Sequence, residues 1–402
     1  MKILQLTNKT PYPPSDGGSI AVLSLAVGLA DLGHELSLLS MRTLKHSFYI
    51  EDIPKEFSDK IKFISVDVPA KISKRSLLQN YLLSDQPYTA SRFISEDYSL
   101  KLIDILSKNK FDIIQLEGLY LAPYIALIKR HSQAPIVMRA HNVEHEIWER
   151  VRANTNNKIK KIYLRNLNKK LKKFELSYLK DYDYLLPITE RDGKRFCKLG
   201  YKKDYYTLVT GIDINRYNFN PKKTEYPSLF HLGSLDWEPN LEGLRWFLSE
   251  IWPEILKKQS NIKFYIAGRN ASSETIKYLK SFKNVVYDGE VLDANSYINS
   301  KAIMLVPLLS GSGMRIKIIE GMALAKAIVS TAVGTEGISA KDGKEILIAE
   351  NEKEFIEKTL QLIQDHEFYK KISVNARLFI EEEFDNSKIV SHLVKQYEKL
   401  IK

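Results

Sequence analysis

The stretch from Ile303 to Ile338 constrains the fold most, because it reads as strand, glycine loop, helix, strand and loop in succession. The apolar run Ile303 to Leu309 predicts a buried strand, and Met314 to Ala325 has the spacing of a helix. A second apolar run, Ala327 to Ala332, follows directly. This succession predicts a βαβ unit and therefore a parallel sheet.

The glycine loop between that strand and helix predicts an anion site. Backbone N–H groups at a helix N-terminus favour a phosphate, and nearby cations strengthen the attraction. Arg315 and Lys317 are two positions apart, so they bracket a ligand rather than share a face. Glu320, about one turn further on, is placed to reach the hydroxyls of a ribose. The predicted residues are Gly311, Ser312, Gly313, Met314, Arg315, Lys317 and Glu320. The alternative is an ordinary βαβ unit with solvated cations.

Length and composition predict a globular chain of two domains, with a single large barrel as the competing interpretation. The chain has 402 residues, of which 44% are hydrophobic and 27% charged. The single cysteine, Cys197, excludes an intrachain disulfide and any cysteine-based metal cluster, which is typical of a reducing compartment. We therefore expect a cytoplasmic protein, without a signal peptide or a membrane-spanning segment.

The net charge of +11 indicates an anionic partner: nucleic acid, a phosphate-rich ligand or an anionic membrane surface. The segment from Arg152 to Phe174 has no acidic residue and alternates cations with Ile and Leu, which predicts a basic amphipathic helix. Three interpretations of lysines 158–173 are open: they lie on an anionic membrane surface, they attract a phosphate-bearing acceptor, or they form a solvated face. Nucleic acid is not expected, because the aromatic residues form no stacking platform.

The N-terminal segment repeats the strand, glycine loop and helix order. Lys2 to Thr7 reads as a strand, Gly17 and Gly18 belong to a loop, and Ser19 to Leu32 has helical spacing. Such a loop at the carboxyl end of the first strand of a doubly wound sheet binds ligands. Because Gly17 and Gly18 are adjacent, the loop is not the G-x-G-x-x-G pattern, and a nicotinamide cofactor is not expected.

Strands and helices alternate through the rest of the chain, which predicts a parallel α/β sheet in each half. Tyr205 to Tyr226 interrupts the alternation with closely spaced Gly, Asp, Asn and Pro, so it reads as a linker. The predicted divisions are an N-terminal domain (1–207), a linker (208–226) and a C-terminal domain (227–386), with the last helix (387–402) returning to the first domain.

His141 is the main candidate in the first half. It ends the predicted strand Pro135 to Ala140, from which a side chain points into a crevice. His141, Glu144 and His145 also fit H-x-x-E-H, a zinc pattern that needs both histidines on one helix. Here the first histidine is expected to precede the helix, so we expect no metal. We favour a structural histidine over a zinc ligand, and a His141 that contacts substrate over both.

Together these motifs resemble glycosyltransferases of family 4 (group 1), over nearly the whole chain. The matching parts are the loop with Gly17 and Gly18, the strand-end His141, the linker Gly211-Ile212-Asp213, and Gly311 to Gly334. The resemblance implies a GT-B fold, with two Rossmann-like doubly wound domains facing across a cleft. It also implies transfer with retention at the anomeric carbon and without a metal. The donor would be a UDP-, GDP- or TDP-sugar held by the C-terminal domain, and the acceptor a glycan or lipid-linked sugar.

The resemblance also assigns roles to residues. Glu320 corresponds to the glutamate that binds the donor ribose, and His141 to the histidine near the donor sugar and phosphate. Gly17 and Gly18 would place backbone amides near the transferring group, with Gly18 and His141 as catalytic residues. Gly233, in G-S-L-D-W, would belong to the donor site.

The sequence departs from the family pattern at two places. Ser312 replaces the usual first glutamate, and the usual arginine and lysine are absent from Ser234 to Asn240, so Arg315 and Lys317 are predicted to hold the diphosphate. A nucleotide-sugar 2-epimerase and a non-catalytic binding module are the alternatives to a transferase in cell-surface polysaccharide synthesis.

Overall fold

The structure is a computed structural model that describes residues 1–14, 16–71, 73–155, 157–311 and 314–401, and only the backbone of Lys74 and Arg75. It divides into two compact units. Unit 1 comprises Met1–Gly211 and Asn386–Lys402, and unit 2 comprises Ile212–Asp385. No helix in the described part of the chain is both long enough and apolar enough to cross a bilayer.

Unit 1 is built on a parallel sheet whose strand order is β3-β2-β1-β4-β5-β6. Its strands are β1 (Lys2–Thr7), β2 (Glu35–Arg42), β3 (Ile61–Asp67), β4 (Ile113–Glu117), β5 (Ile136–Ala140) and β6 (Tyr184–Pro187). Its described residues form the α-helices α1 (Gly17–Asp31), α2 (Lys55–Ser58), α3 (Lys74–Leu83), α4 (Tyr88–Ser91), α5 (Glu96–Lys108), α6 (Ile125–His131), α7 (Glu144–Ala153), α8 (Lys158–Ser177) and α9 (Glu190–Lys198).

Both faces of this sheet are buried, as a doubly wound sheet requires. Successive side chains of a strand point to opposite faces, so Leu4 and Leu6 of β1 join one core cluster while Ile3 joins the other. On β4, Ile114 and Ile113 divide in the same way. Strands that are buried on both faces have near-continuous apolar runs instead of an alternating pattern, and these runs allowed the parallel strands to be predicted from the sequence.

Unit 2 repeats the architecture, with the strand order β12-β11-β10-β7-β8-β9. Its strands are β7 (Glu225–Leu232), β8 (Phe264–Ala267), β9 (Val285–Gly289), β10 (Lys301–Val306), β11 (Ala327–Thr331) and β12 (Leu347–Ala349). Its helices are α10 (Glu238–Trp246), α11 (Trp252–Lys258), α12 (Ser273–Lys280), α13 (Ala294–Asn299), α14 (Ile316–Ala323), α15 (Glu352–Gln364) and α16 (His366–Glu383). Both sheets are parallel and doubly wound, and the prediction of two such sheets is confirmed.

The last helix, α17 (Asn386–Leu400), belongs to unit 1. Asn386 Nδ2 donates to the Ser24 backbone oxygen at 2.7 Å, and the buried Tyr397 hydroxyl donates to Gln115 of β4. The chain therefore returns from unit 2 to cover one face of the first sheet.

Three helix boundaries differ from those the sequence indicated. Gly17 and Gly18 form the first turn of α1 instead of the loop before it, because Asp16 caps the helix. The helix after the glycine loop is shorter than predicted, since Arg315 has a non-helical ψ of 87° and Ala325 has a φ of 51°. The basic segment is broken between α7 and α8, where Asn157 Oδ1 caps α8 by accepting from Lys160 N at 3.0 Å.

Candidate functional site

Each unit has a candidate site at the carboxyl ends of its two central strands, where the strand order reverses. This is the crevice in which doubly wound sheets bind ligands. In unit 1 the two strands are β1 and β4, and in unit 2 they are β7 and β10. We call the first the carboxylate cavity and the second the cation site, and each is described by itself.

Arg315 is the first cation of the cation site and occupies the N-cap position of α14. A guanidinium has no acceptor, so this side chain cannot satisfy the first-turn N–H groups in the way that a capping Ser or Asp does. Its Cζ is 5.7 Å from the centre of the Trp237 ring. Gly311 has a φ of 122°, and a Cβ there would be 2.8 Å from an Arg315 guanidinium nitrogen, so this position requires glycine.

Lys317 is the second cation of this site. Its Nζ donates to Asn240 Oδ1 at 2.9 Å, and Asn240 Nδ2 donates in turn to the Ser234 backbone oxygen at 2.8 Å. A Cβ on Gly233 would be 2.8 Å from Asn240 Nδ2 and 3.2 Å from Lys317 Nζ, so glycine at the end of β7 makes room for both side chains. Burial, and then the neighbouring Arg315 charge, lower the pKa of Lys317 to about 7.

Glu320 lies on the second turn of α14 and is held by Tyr217. The Tyr217 hydroxyl donates to Glu320 Oε1 at 3.1 Å, and Arg377 donates to the Tyr217 backbone oxygen at 2.8 Å. Burial raises the pKa of Glu320, while the Tyr217 hydrogen bond opposes that rise. A carboxylate that accepts one hydrogen bond keeps further acceptor capacity for a ligand hydroxyl.

The structure brings Gly233 close to Lys317, and Gly311 close to Arg315. Met314 precedes the helix, and Ser312 and Gly313 lie outside the described residues. Sequence reasoning missed Asn240, Trp237 and Tyr217. Trp237 ends the G-S-L-D-W motif and Asn240 follows it, so their position just after the first strand of the second half could have indicated a place in the site. Tyr217 lies within the predicted linker, where nothing in the sequence pointed to the site.

The carboxylate cavity of unit 1 has a volume of about 170 Å³. Its lining includes Lys9, Gly18, Glu117, Tyr120, His141 and Glu144. Gly18 and His141, two of the predicted residues, thus line one cavity, while Gly17 begins α1 beside it. Asp16 Oδ1 accepts from Ser19 N at 2.9 Å and both its oxygens accept from Lys9 Nζ, so this helix N-terminus already has a carboxylate.

His141 is oriented by Glu117, the last residue of β4. His141 Nε2 is 2.9 Å from Glu117 Oε2, and the buried Arg139 is 3.6 Å from the same oxygen. Burial alone would raise the pKa of Glu117, but Arg139 and His141 outweigh it and hold the pKa at about 2. An ionised carboxylate only accepts hydrogen bonds, so His141 Nε2 carries a proton that it donates to Glu117, and this bond fixes the orientation of the ring.

Glu144, at the first position of α7, is a second carboxyl on this cavity, and its environment has the opposite effect. Burial raises its pKa to about 7; the Tyr120 hydroxyl, donating at 2.8 Å, lowers the pKa, and the nearby Glu175 raises it. The pKa values of two carboxyl groups on one cavity are therefore shifted in opposite directions. Pairs of this kind separate acid, base and binding roles in enzyme sites.

The two histidines of the H-x-x-E-H pattern bind different carboxylates. His141 pairs with Glu117, whereas His145 is buried against Glu175. The Glu175 carboxylate also accepts from the backbone N–H groups of Glu144 at 2.9 Å and His145 at 3.2 Å. Glu175 of α8 therefore caps the N-terminus of α7. Within the described residues, no group of three or more His, Cys, Asp or Glu side chains is arranged to hold a metal ion.

Two family models match the chain. The model described as Glycosyltransferase Family 4 matches residues 15–216, and the model described as Glycosyl transferases group 1 matches residues 226–365. Among curated proteins, an uncharacterised 44.6 kDa protein in the cps region of Klebsiella pneumoniae is 24% identical over 98% of this chain and 99% of its own length.

Solved structures share the fold across the whole chain. HepE from Anabaena, in complex with UDP, has a TM-score of 0.70 and 13% identity, and covers 99% of this chain and 100% of its own. Sucrose-phosphate synthase from Thermosynechococcus elongatus has a TM-score of 0.72 and 12% identity, and covers 100% and 99%. With the two doubly wound sheets, these likenesses confirm the predicted GT-B fold.

Proposed function

The chain belongs to glycosyltransferase family 4. From that premise we propose that it moves a sugar from a nucleoside diphosphate sugar to a glycan or lipid-linked acceptor, with retention and without a metal. The observation that carries the proposal is the cation site. There Arg315 and the partly buried Lys317 stand at a helix N-terminus that the Arg315 side chain cannot cap. A diphosphate fits this arrangement of charge and donors.

The physical task of the cation site is to stabilise the leaving group. When the bond between sugar and diphosphate breaks, negative charge develops on the leaving phosphate while the sugar approaches an oxocarbenium ion. Fixed cations and N–H dipoles that already point at that phosphate lower the barrier, each by about 3 kcal/mol by analogy with oxyanion-hole donors. Arg315, Lys317 and the start of α14 supply this charge in the proposal, with Gly311, Ser312, Gly313 and Met314 as the phosphate loop.

The other donor contacts follow from the same site. Glu320, steadied by Tyr217, accepts hydrogen bonds from the ribose hydroxyls in the proposed complex. Gly233 keeps the end of β7 open beside Lys317. UDP is the first nucleotide to test, since HepE was solved with UDP.

Unit 1 holds the acceptor in the proposal. His141 and Gly18 are its catalytic residues, with the Gly17 and Gly18 amides near the transferring group. The hydrogen bond to Glu117, which is itself paired with Arg139, holds the His141 ring in one orientation, so the ring presents a defined face to a sugar. The relative in a cps region supports cell-surface polysaccharide synthesis as the pathway.

We also propose that lysines 158–173 hold the protein at an anionic membrane, on its inner face, where lipid-linked acceptors are found. The described cations of this segment are exposed, apart from the half-buried Lys170. Neutralising them should release protein from anionic vesicles in a flotation assay. Unchanged flotation would remove this part of the proposal.

The deciding experiment measures nucleotide release from UDP-, GDP- and TDP-sugars, with and without a membrane lipid extract. Release that depends on the extract supports the transferase. Formation of an epimer without nucleotide release would instead establish a 2-epimerase, and binding without turnover would establish a binding module. Chelator added to a parallel assay checks the metal-independence, since activity should persist.

A further inference from the structure

Helices α3 and α8 of unit 1 form a packed pair. Lys170 Nζ of α8 donates to the backbone oxygens of Asn80 and Tyr81 at 2.9 and 3.0 Å, so it satisfies carbonyls at the end of α3. The Tyr81 and Tyr163 rings lie 6.1 Å apart, and Leu77 packs against the cluster that contains Leu164 and Leu167. The inner faces of both helices are therefore occupied.

The outer faces carry large aliphatic side chains that nothing in the described chain covers. Leu78, Leu82 and Leu83 of α3, with Ile159 and Ile162 of α8, are each 60–84% exposed. On α3, Leu78 and Leu82 are four positions apart and share one face, and Leu83 follows Leu82 at the end of the helix. Single exposed aliphatic residues are ordinary, but five on two packed helices form a patch of the kind that marks an interaction surface. We call these five residues the aliphatic patch.

Exposed cations surround the α8 part of the patch. They are Lys158, Lys160, Lys161, Arg165, Lys169, Lys172 and Lys173. The segment from Arg152 to Phe174 contains no acidic residue to neutralise them. Aliphatic residues next to a wholly basic stretch match an anionic bilayer, in which phosphates lie directly above hydrocarbon. A nucleic acid would leave the leucines without a partner, because bases stack on aromatic rings.

We propose that the aliphatic patch inserts into the boundary between the headgroups and the acyl chains of an anionic bilayer while the cations of α8 bind its phosphates. This inference extends the electrostatic attachment of residues 158–173 to a second helix, α3, and to a hydrophobic contribution that the charge pattern does not reveal. It does not depend on sugar transfer, because binding is measured without substrate.

The test measures co-sedimentation of the full chain with phosphatidylcholine vesicles that contain or lack phosphatidylglycerol. The patch variant replaces Leu78, Leu82 and Leu83 with Ser. We expect roughly tenfold or greater loss of binding to the anionic vesicles, including at high salt, where electrostatic attraction is screened. The matched control replaces Val374 and Leu378 with Ser; these residues of α16 are 54% and 55% exposed, and their replacement should leave binding unchanged.

A second variant reports insertion directly. Leu82→Trp places a fluorophore in the patch, and its emission is obtained by subtracting the emission of the natural chain. When anionic vesicles are added, this added emission should shift to the blue, and brominated lipid should quench it. Absence of vesicle binding by the natural chain, equal binding by the Ser variant, or an unshifted added emission in Leu82→Trp would each overturn the proposal. So would a dimer in solution that the Ser substitutions dissociate, because the patch would then be a contact between copies.

Discussion

The two units share a doubly wound architecture yet place opposite charges at their candidate sites. In unit 1 the fourth strand, β4, ends in the buried carboxylate Glu117. In unit 2 the fourth strand, β10, leads through the glycine loop to Arg315 and Lys317. The helix beside the site of unit 1, α1, has Asp16 at its N-cap position, whereas the helix beside the site of unit 2, α14, has Arg315 there. A fold therefore supplies a crevice, and the side chains at its rim decide what the crevice attracts.

The difference also appears in protonation. Unit 1 holds one carboxyl ionised at Glu117 and raises the pKa of another, Glu144, to about 7. Unit 2 lowers the pKa of the lysine at its site to about 7. Burial opposes the charged form of all three groups, but the neighbouring charges differ. Arg139 stabilises the charged form of Glu117, whereas Arg315 repels the charge on Lys317. Four experiments test this contrast.

The largest effect is expected from Glu117→Gln. The substitution leaves Arg139 buried without its charge partner, which typically destabilises a protein by about 3–5 kcal/mol. Urea unfolding followed by circular dichroism measures the loss. Glu290→Gln, at an exposed glutamate, is the matched control and should change the free energy of unfolding very little. Equal stability of the two variants would contradict the buried-pair interpretation.

The cation site is tested by Arg315→Ala and Lys317→Ala. Each should weaken UDP binding by about 2–4 kcal/mol and uridine binding far less, because only UDP carries the phosphates that the cations contact. Calorimetric titration gives both affinities, and Lys277→Ala, on the surface of unit 2, is the control. Equal losses for the two ligands would reject the phosphate role.

Glu144→Gln should stabilise the protein, which is the opposite sign to Glu117→Gln. The pKa of Glu144 is about 7 in the folded state and 4.5 ordinarily. Between pH 4.5 and about 7, the folded state therefore binds a proton at Glu144 that the unfolded state does not. The free energy of unfolding therefore falls as pH rises through that window. Glutamine removes the titration, so the variant should gain about 1–3 kcal/mol at pH near 8 and little near 4. Melting curves at the two pH values check this, and a constant difference between them would contradict it.

The smallest effect is proton uptake on diphosphate binding. Phosphate charge should raise the lowered pKa of Lys317, so UDP binding at a pH above about 7 takes up nearly one proton. Calorimetry in buffers of different ionisation enthalpy measures this uptake. Lys317→Met should abolish it, whereas Lys326→Met should not, although burial also lowers the pKa of Lys326 to about 7. Uptake that survives in Lys317→Met would assign the proton elsewhere.

Much of the architecture was predictable because its signals are local. Glycine loops, helix spacing and apolar strands gave two parallel sheets and placed His141 at the end of a strand and Arg315 beside a helix start. Boundaries were less accurate where a capping interaction decided them, as at Asp16 and Asn157. The donor and acceptor roles of Glu320, Gly18 and the other predicted residues remain predictions.

Side-chain partners were not predictable, because they come from distant parts of the chain. Tyr217 meets Glu320, and Asn240 meets Lys317, only after the sheet of unit 2 has formed. Likewise, Glu144 looked like one third of a zinc pattern until its neighbours Tyr120 and Glu175 were in place. No spacing rule relates such pairs, so the sequence offered no way to choose among the acidic residues.

By itself the sequence determined the alternation of strands and helices, because hydrophobic periodicity and glycine placement act over a few residues. The resemblance of its motifs gave the family, and the sequence also located the charged segment that is predicted to bind phosphate. Only the tertiary structure decided which carboxyl is ionised, which lysine has a lowered pKa, and which leucines of α3 stay exposed beside α8. Those properties depend on burial and on charges brought together by folding, and burial is set by the whole packed unit.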